Sequence, residues 1–369
     1  MDFIKLYHSY RNVFLPDIKL FEKKKLRTLE KKKIFFNYIQ SPFISKDIKE
    51  KLEKKIDKTS IYDYLYKLEL PQGIVNFHFV SDKNLKTINR LKKFYFYLIY
   101  LQLNSKKKYK YLDDVFINII TVDIPKKLSV PINIDDINSA STVINHPRFG
   151  GPIYIWRTDE MEKVLIHETL HSLLYDWDII DQKLNEDLRK LEKSIDKDGK
   201  GLNINEAYTE LCATFIMCLF QLSKRIGKRE AKVKLKKILK KVLDHSFRTC
   251  AKLFRKYQIK DCSACTDVSN MAACTYYQEA SAFSYIVLKT ALLWSIMKNC
   301  KIKDQKVTDK VKCLEEFLSI GFNGRIGELY QDYLVKILND KDFNSEINKY
   351  IEKRGKGRPG KFYFTIFHQ

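Results

Sequence analysis

His167, Glu168 and His171 are the residues of this 369-residue chain whose types and spacing most directly suggest chemistry. Two histidines at i and i+4 lie on one face of a helix, about 6 Å apart along its axis, so both imidazoles can reach one metal ion. Glu168 stands at the rim of that face, where a carboxylate can reach a metal-bound water. The flanking Val164, Leu165, Ile166, Leu170 and Leu173 are apolar, as a helix buried beneath an active site requires. The plainer alternative is a buried helix with two hydrogen-bonded histidines. A catalytic zinc ion needs three protein ligands and one open position. The best source of the third is Asn205-Glu206-Ala207-Tyr208-Thr209-Glu210. Glu206 and Glu210 share a face of a helix that otherwise buries Ala207, Leu211, Phe215 and Cys218, and carboxylates in such a place need partners. Glu206 is expected to bind the metal, and Glu210 to accept a hydrogen bond from a ligand histidine and fix its tautomer. A capping box or a solvated first helical turn is the alternative for this segment.

His167-Glu168-x-x-His171 followed by Asn205-Glu206-Ala207-x-x-Glu210 resembles the gluzincin class of zinc metallopeptidases, and the second segment is similar to the Asn-Glu-Ala-x-x-Asp of its thermolysin branch. The match covers two short segments of the chain. It implies one zinc ion on His167, His171 and Glu206, with Glu168 as general base and Glu210 behind the ligands. The last position departs from the pattern, with Glu in place of Asp. The 35-residue interval from His171 to Glu206 is also longer than in thermolysin itself. The Gly-x-Met-Glu-Asn segment of gluzincin aminopeptidases is absent, so an endopeptidase is expected. Metzincin-type and SprT-like sites use a third histidine, but the next one here, His245, is far downstream on a basic helix.

In such a site Glu168 takes the water proton and passes it to the leaving amine. The oxyanion needs a further donor, and His146, Tyr154, Tyr208, Tyr277 and Tyr285 are the candidates. By analogy with zincins, a sheet-edge strand pairs with the substrate backbone. Ser141, Thr142, Val143 and Ile144 are expected to form that edge, with the strand at Pro152–Trp156 inside it.

The elements that must position these groups can be read coarsely. Residues 1–70 alternate charged and apolar residues at helical spacing and are expected to be helical. Pro71-Gln72-Gly73 signals a turn. Strands are expected at Ile74–Val80, Val115–Ile124, Ser141–Asn145 and Ile153–Trp156, with a helix at Asp82–Leu103. Thr158 can cap a helix running to Asp176, and a polar helix should follow at Asp181–Ser194. Asn205 can cap another, to Ser223. Helices near 228–257, 270–300, 308–319 and 324–339 complete the pattern. The expected fold is α+β and zincin-like: a small mixed β-sheet packed on the His167–His171 helix, then a mainly helical C-terminal part. The corresponding regions are 1–70, 71–226 (sheet 74–157, site helices 158–176 and 205–223), 227–353, and a basic tail at 354–369.

The formal net charge is +23, with 45% hydrophobic residues. That composition can build a core and excludes a disordered chain. The charge is uneven. Lys224–Lys260 holds 15 Lys and Arg against Glu230 and Asp244, while Thr158–Glu206 holds 7 basic and 13 acidic residues. The basic stretch carries an apolar stripe through Leu235, Ile238, Leu239, Val242, Phe247, Ala251 and Phe254. It is a solvated surface helix, or a face for nucleic acid, an acidic partner or an anionic membrane. A peptidase acting on peptides or proteins is therefore weighed against a basic nucleic-acid- or membrane-surface-binding protein with a structural or inactive zinc site. No apolar run reaches membrane-span length, and the N-terminus lacks a signal-peptide layout, so an intracellular, soluble protein is expected. The abundance of Lys, Ile, Asn and Tyr suggests an AT-rich genome of the viral or parasitic kind. Asp196–Gly201 glances toward a calcium loop, but Lys200 and Ala207 fall where acidic ligands belong. Cys250, Cys262, Cys265 and Cys274 could share a structural zinc, although buried free thiols fit the helical pattern better.

Overall fold

The computed structural model describes residues 7–8, 18–105, 110–145, 148–176, 183–195, 202–222, 227–267, 274–299, 301–302, 305–306, 328–353 and 366. The chain divides into two compact units. One comprises Ile4–Pro125 with Asn138–Tyr175, the other Lys126–Ile137 with Asp176–His368. No helix among the described residues is long and apolar enough to cross a membrane.

The first unit is built on a six-stranded mixed sheet. Its elements are β1 (Leu20–Lys25), α1 (Thr28–Gln40), α2 (Lys46–Lys58), β2 (Tyr62–Leu70), β3 (Gly73–Ser81), α3 (Leu85–Leu103), β4 (Asp114–Val122), β5 (Ala140–Thr142), β6 (Ile153–Arg157) and α4 (Met161–Ser172). The strand order is β1-β2-β3-β4-β6-β5. β2 and β3 form an antiparallel hairpin in which Leu70 faces Gly73. α3 carries the chain over to β4, which pairs in parallel with both β3 and β6. β5 closes the sheet as an edge strand antiparallel to β6.

Residues 1–70 are thus not uniformly helical, because β1 and β2 fall within them. The reason is visible in Tyr62-Asp63-Tyr64-Leu65-Tyr66-Lys67, where Tyr64 and Tyr66 are buried and their neighbours are not. That is the period of two of a half-buried strand, hidden among charged helical segments. The α2 stripe Ile48, Leu52 and Ile56 repeats every fourth residue and is fully helical. The core between sheet and α3 is aromatic. Phe77 and Phe79 of β3 meet Tyr95 and Phe96 of α3 edge-on or tilted, with ring centroids 5.1–6.3 Å apart. Such pairs add to the stabilisation from area burial alone.

The second unit is mainly helical: α5 (Glu186–Ile195), α6 (Ile204–Phe220), α7 (Lys228–Lys256), α8 (Lys289–Asn299), α9 (Glu328–Leu338) and α10 (Lys341–Glu352). A π-helical turn at Ser284–Leu288 leads into α8. α6 packs on this turn and on α8, and α7 packs on α10, α8 and α6. Helix α10 was not foreseen from the sequence. Its start is fixed by Asp340, whose carboxylate accepts from the Asp342 and Phe343 amides, and it buries Phe343, Ile347 and Ile351 at helical spacing. A disulfide joins Cys265 and Cys274, while Cys250 and Cys262 are buried free thiols. That pairing overturns a zinc shared by the four, since two of the sulfurs are spent on each other. The segments 196–201, 308–319 and 354–361 lie outside the described residues.

Candidate metal centre

Three local devices place the His167–His171 helix. The first is at the end of β6. Arg157, with no solvent exposure, donates from Nε to the Asn138 carbonyl at 2.7 Å, and from its Nη1 to the carbonyls of Ile124 and Pro125 at 2.8 and 3.0 Å. One guanidinium thus ties the chain entering α4 to the segments following β4 and preceding β5, using the fork of donors that only arginine offers. The second is the Gly150-Gly151 turn. Gly150 has φ +93°, and a Cβ on Gly151 would lie 1.7 Å from the Val143 carbonyl oxygen. From this turn the Gly150 amide donates to the Ser172 carbonyl at 3.1 Å, and the Ser172 hydroxyl donates to the Gly151 carbonyl at 2.8 Å. The third is the helix terminus. Leu174 sits in the left-handed region at φ +56°. Its amide donates to the His171 carbonyl, and the Tyr175 amide to the Leu170 carbonyl. This is a Schellman ending with leucine where glycine is usual. Burial of the Leu174 side chain offsets the strain.

Both helix ends depart from expectation. Glu160, also left-handed at φ +57°, precedes the first turn, so α4 begins at Met161 rather than after Thr158, and it stops at Ser172 rather than Asp176. α4 packs on α3, β5 and β6. Every residue from Val164 to Ser172 is buried, including His167, Glu168 and His171.

The two imidazoles meet. Nε2 of His167 and Nε2 of His171 are 3.0 Å apart, with ring centroids at 4.8 Å and the planes inclined by 73°. Two nitrogens bound about 2.0–2.1 Å from one tetrahedral ion lie about 3.3 Å apart. The observed separation is within a few tenths of an ångström of that value, so the pair fits a single ion without a rotamer change. Glu168 is 8% exposed, on the same turn of helix.

In the second unit, Glu206 and Glu210 lie on α6, Glu206 half-buried in its first turn and Glu210 buried. The helix starts at Ile204, with Asn203 rather than Asn205 at its cap. Asn205 is used differently: its amide donates to Asp176 Oδ2 at 3.3 Å, and the Thr209 hydroxyl donates to the same oxygen at 3.2 Å. Tyr330 of α9 donates to the Ile204 carbonyl at 3.0 Å. The first two turns of α6, which carry both glutamates, are therefore held on two sides. Asp176 and Tyr330 were not singled out in the sequence. An isolated Asp five residues past His171 carries no pattern, and Tyr330 is 126 residues from its partner.

The candidate oxyanion donors are scattered. Tyr154 is on β6, its ring 5.0 Å from Tyr38 of α1 in an edge-on pair, and burial raises its phenol above the ordinary tyrosine value. Tyr208 is buried on α6 against Tyr330. The Tyr277 carbonyl accepts from the Tyr257 hydroxyl. Tyr285 is half-buried in the π-helical turn. His146 lies outside the described residues. Of the expected substrate-strand residues, Ser141 and Thr142 belong to the edge strand β5, while Val143 and Ile144 follow it with exposed side chains. His245 is on α7 in the second unit.

No protein-family model matches the chain, and no curated protein or solved structure gives a significant match.

Proposed function

We propose that this chain is a zinc-dependent metallopeptidase of endopeptidase type, zincin-like around its site helix. The observation that carries the reading is the pair of facing Nε2 atoms of His167 and His171, with Glu168 buried on the turn between them. His167, His171 and Glu206 are the proposed ligands of one ion. Two imidazoles and one carboxylate are a donor set that zinc accepts, and they leave the fourth position open. Glu210, one helical turn beyond Glu206, is proposed to hydrogen-bond a ligand histidine and fix its tautomer.

A zinc ion held there would lower the pKa of a bound water to about 7 and polarise a peptide carbonyl. Glu168 would accept the water proton and return it to the leaving amine. The edge of β5, terminal in the sheet among the described residues, would align an extended peptide by backbone pairing, which gives affinity with little demand on sequence. Tyr154, Tyr208, Tyr277 and Tyr285 are the described candidates for donating to the oxyanion.

The test is metal analysis with a peptide-library cleavage assay on the full chain and on Glu168→Gln. The expected outcome is one zinc per chain in both proteins, with cleavage lowered at least about 100-fold in the variant. Equal cleavage by both, or a wild-type chain that takes up no zinc, would overturn the reading.

A further inference from the structure

Helix α7 runs for 29 residues, about 43 Å. Its inner face is fully engaged: Leu235, Leu239, Val242, Phe247, Ala251 and Phe254 are buried, and the Phe247 ring stacks on Tyr350 of α10 at 5.7 Å. On the outer face, Lys234, Lys237, Lys241, Arg248 and Lys252 are exposed. At 100° per residue they fall within a stripe about 60° wide, and from Lys234 to Lys252 it is about 27 Å long. Two acidic residues share this side. Asp244 is taken up by Arg248 at 2.9 Å, and Glu230 lies at the N-terminal end. Among the described residues no carboxylate is paired with Lys234, Lys237, Lys241 or Lys252.

We propose that this stripe binds double-stranded DNA through its phosphates, independently of base sequence. A row of cations in which Arg248 alone has a carboxylate partner among the described residues has a polyanion as its complement, and 27 Å of duplex axis carries about 16 phosphate charges. The nature of the face selects among polyanions. Val233 is the one exposed large hydrophobic residue described on α7, so the face offers almost nothing to insert into a bilayer. Its two phenylalanines are buried, so it has no aromatic platform for the bases of a single strand. A helix with its side chains is about 10–12 Å across. It lies along the open major groove of B-form DNA, about 12 Å wide, and not in the deep, narrow major groove of an RNA duplex. The inference does not depend on the metal site.

Binding of the full chain to a labelled DNA duplex of about 24 base pairs is followed by fluorescence anisotropy between about 50 and 200 mM salt. The variants are Lys237→Gln/Lys241→Gln/Lys252→Gln on the stripe and Lys51→Gln/Lys54→Gln/Lys58→Gln on α2. The second set removes the same charge from exposed positions elsewhere. Glutamine keeps helix propensity close to that of lysine, so both should fold, as circular dichroism will verify. The stripe variant is expected to bind at least tenfold more weakly, with the slope of log affinity against log salt reduced by about 2.7, or 0.9 for each lost contact. The α2 variant should change less than about twofold. Equal losses in both variants would reduce the effect to net charge and overturn the proposal. So would unchanged binding by the stripe variant, equal affinity for an RNA duplex or a single strand, or binding to phosphatidylserine vesicles in place of DNA.

Discussion

Nε2 of His167 and Nε2 of His171 face each other at 3.0 Å inside a helix that is buried along its whole site-bearing stretch. At that distance a metal-free pair must share one proton, with one imidazole donating and the other accepting. A bound ion, as proposed, would instead take a lone pair from each of the same two nitrogens. The geometry would need a change of only a few tenths of an ångström between the two states, so the proposed site asks for little rearrangement of the helix.

A stability measurement separates these states. Free zinc at 100 times its Kd should stabilise the chain by about 2.7 kcal/mol. His167→Ala and His171→Ala should lose that increment. Calorimetry with and without a chelator reads the difference, and a melting curve that ignores zinc would leave the histidines as a structural pair.

The glutamates of α6 should differ in how severely their loss weakens zinc binding. Glu206→Ala removes a proposed ligand, and Glu210→Ala a group proposed to hydrogen-bond one. Loss of an outer hydrogen bond of that kind costs about 10–100-fold in metal affinity, so the Glu206 variant should lie beyond that range. Chelator competition on the two variants ranks them. An affinity lowered equally in both would assign Glu206 to the same outer role.

Asp176 holds the start of α6 through a single oxygen that accepts from both Asn205 and Thr209. Thr209 is fully buried, so Asp176→Ala strands a hydroxyl where water cannot replace the carboxylate. The cost is about 1–3 kcal/mol. Asp176→Asn keeps an acceptor of the same shape and should cost less. Denaturant unfolding of the two variants gives the comparison.

Much of this arrangement was legible because it is local. The i, i+4 histidines, the apolar flanks of α4 and the long basic helix α7 all follow from side-chain spacing within one segment, while the edge position of β5 beside β6 was expected only from chain order and analogy. What the sequence hid is long-range or low in pattern. The period of two in β2 is short and lies among charged helical segments, and its pairing with β1 and β3 reveals it as a strand. The ends of α4 are set by left-handed turns at Glu160 and Leu174, residue types that carry no turn signal. The Cys265–Cys274 pairing is fixed by which sulfurs the fold brings together, and spacing alone also allowed a metal.

His78 of β3 gives a pH dependence with a definite sign. Burial disfavours its imidazolium. The 2.8 Å hydrogen bond to Asp63 and the charges of Asp63 and Asp114 outweigh that penalty and raise its pKa above the ordinary histidine value. The ring also stacks on Phe116 at 4.6 Å. A group with its folded pKa raised binds its proton more tightly when folded. Its stabilisation is fully present below the unfolded value near 6.5 and is lost as pH rises through the higher folded value. For a partly exposed pair of this kind the amount is about 0.5–1 kcal/mol. Unfolding free energies of wild type and His78→Phe, measured from pH 5 to 9, should therefore converge as the pH rises. A constant difference across that range would mean that His78 contributes by packing on Phe116 and not by charge.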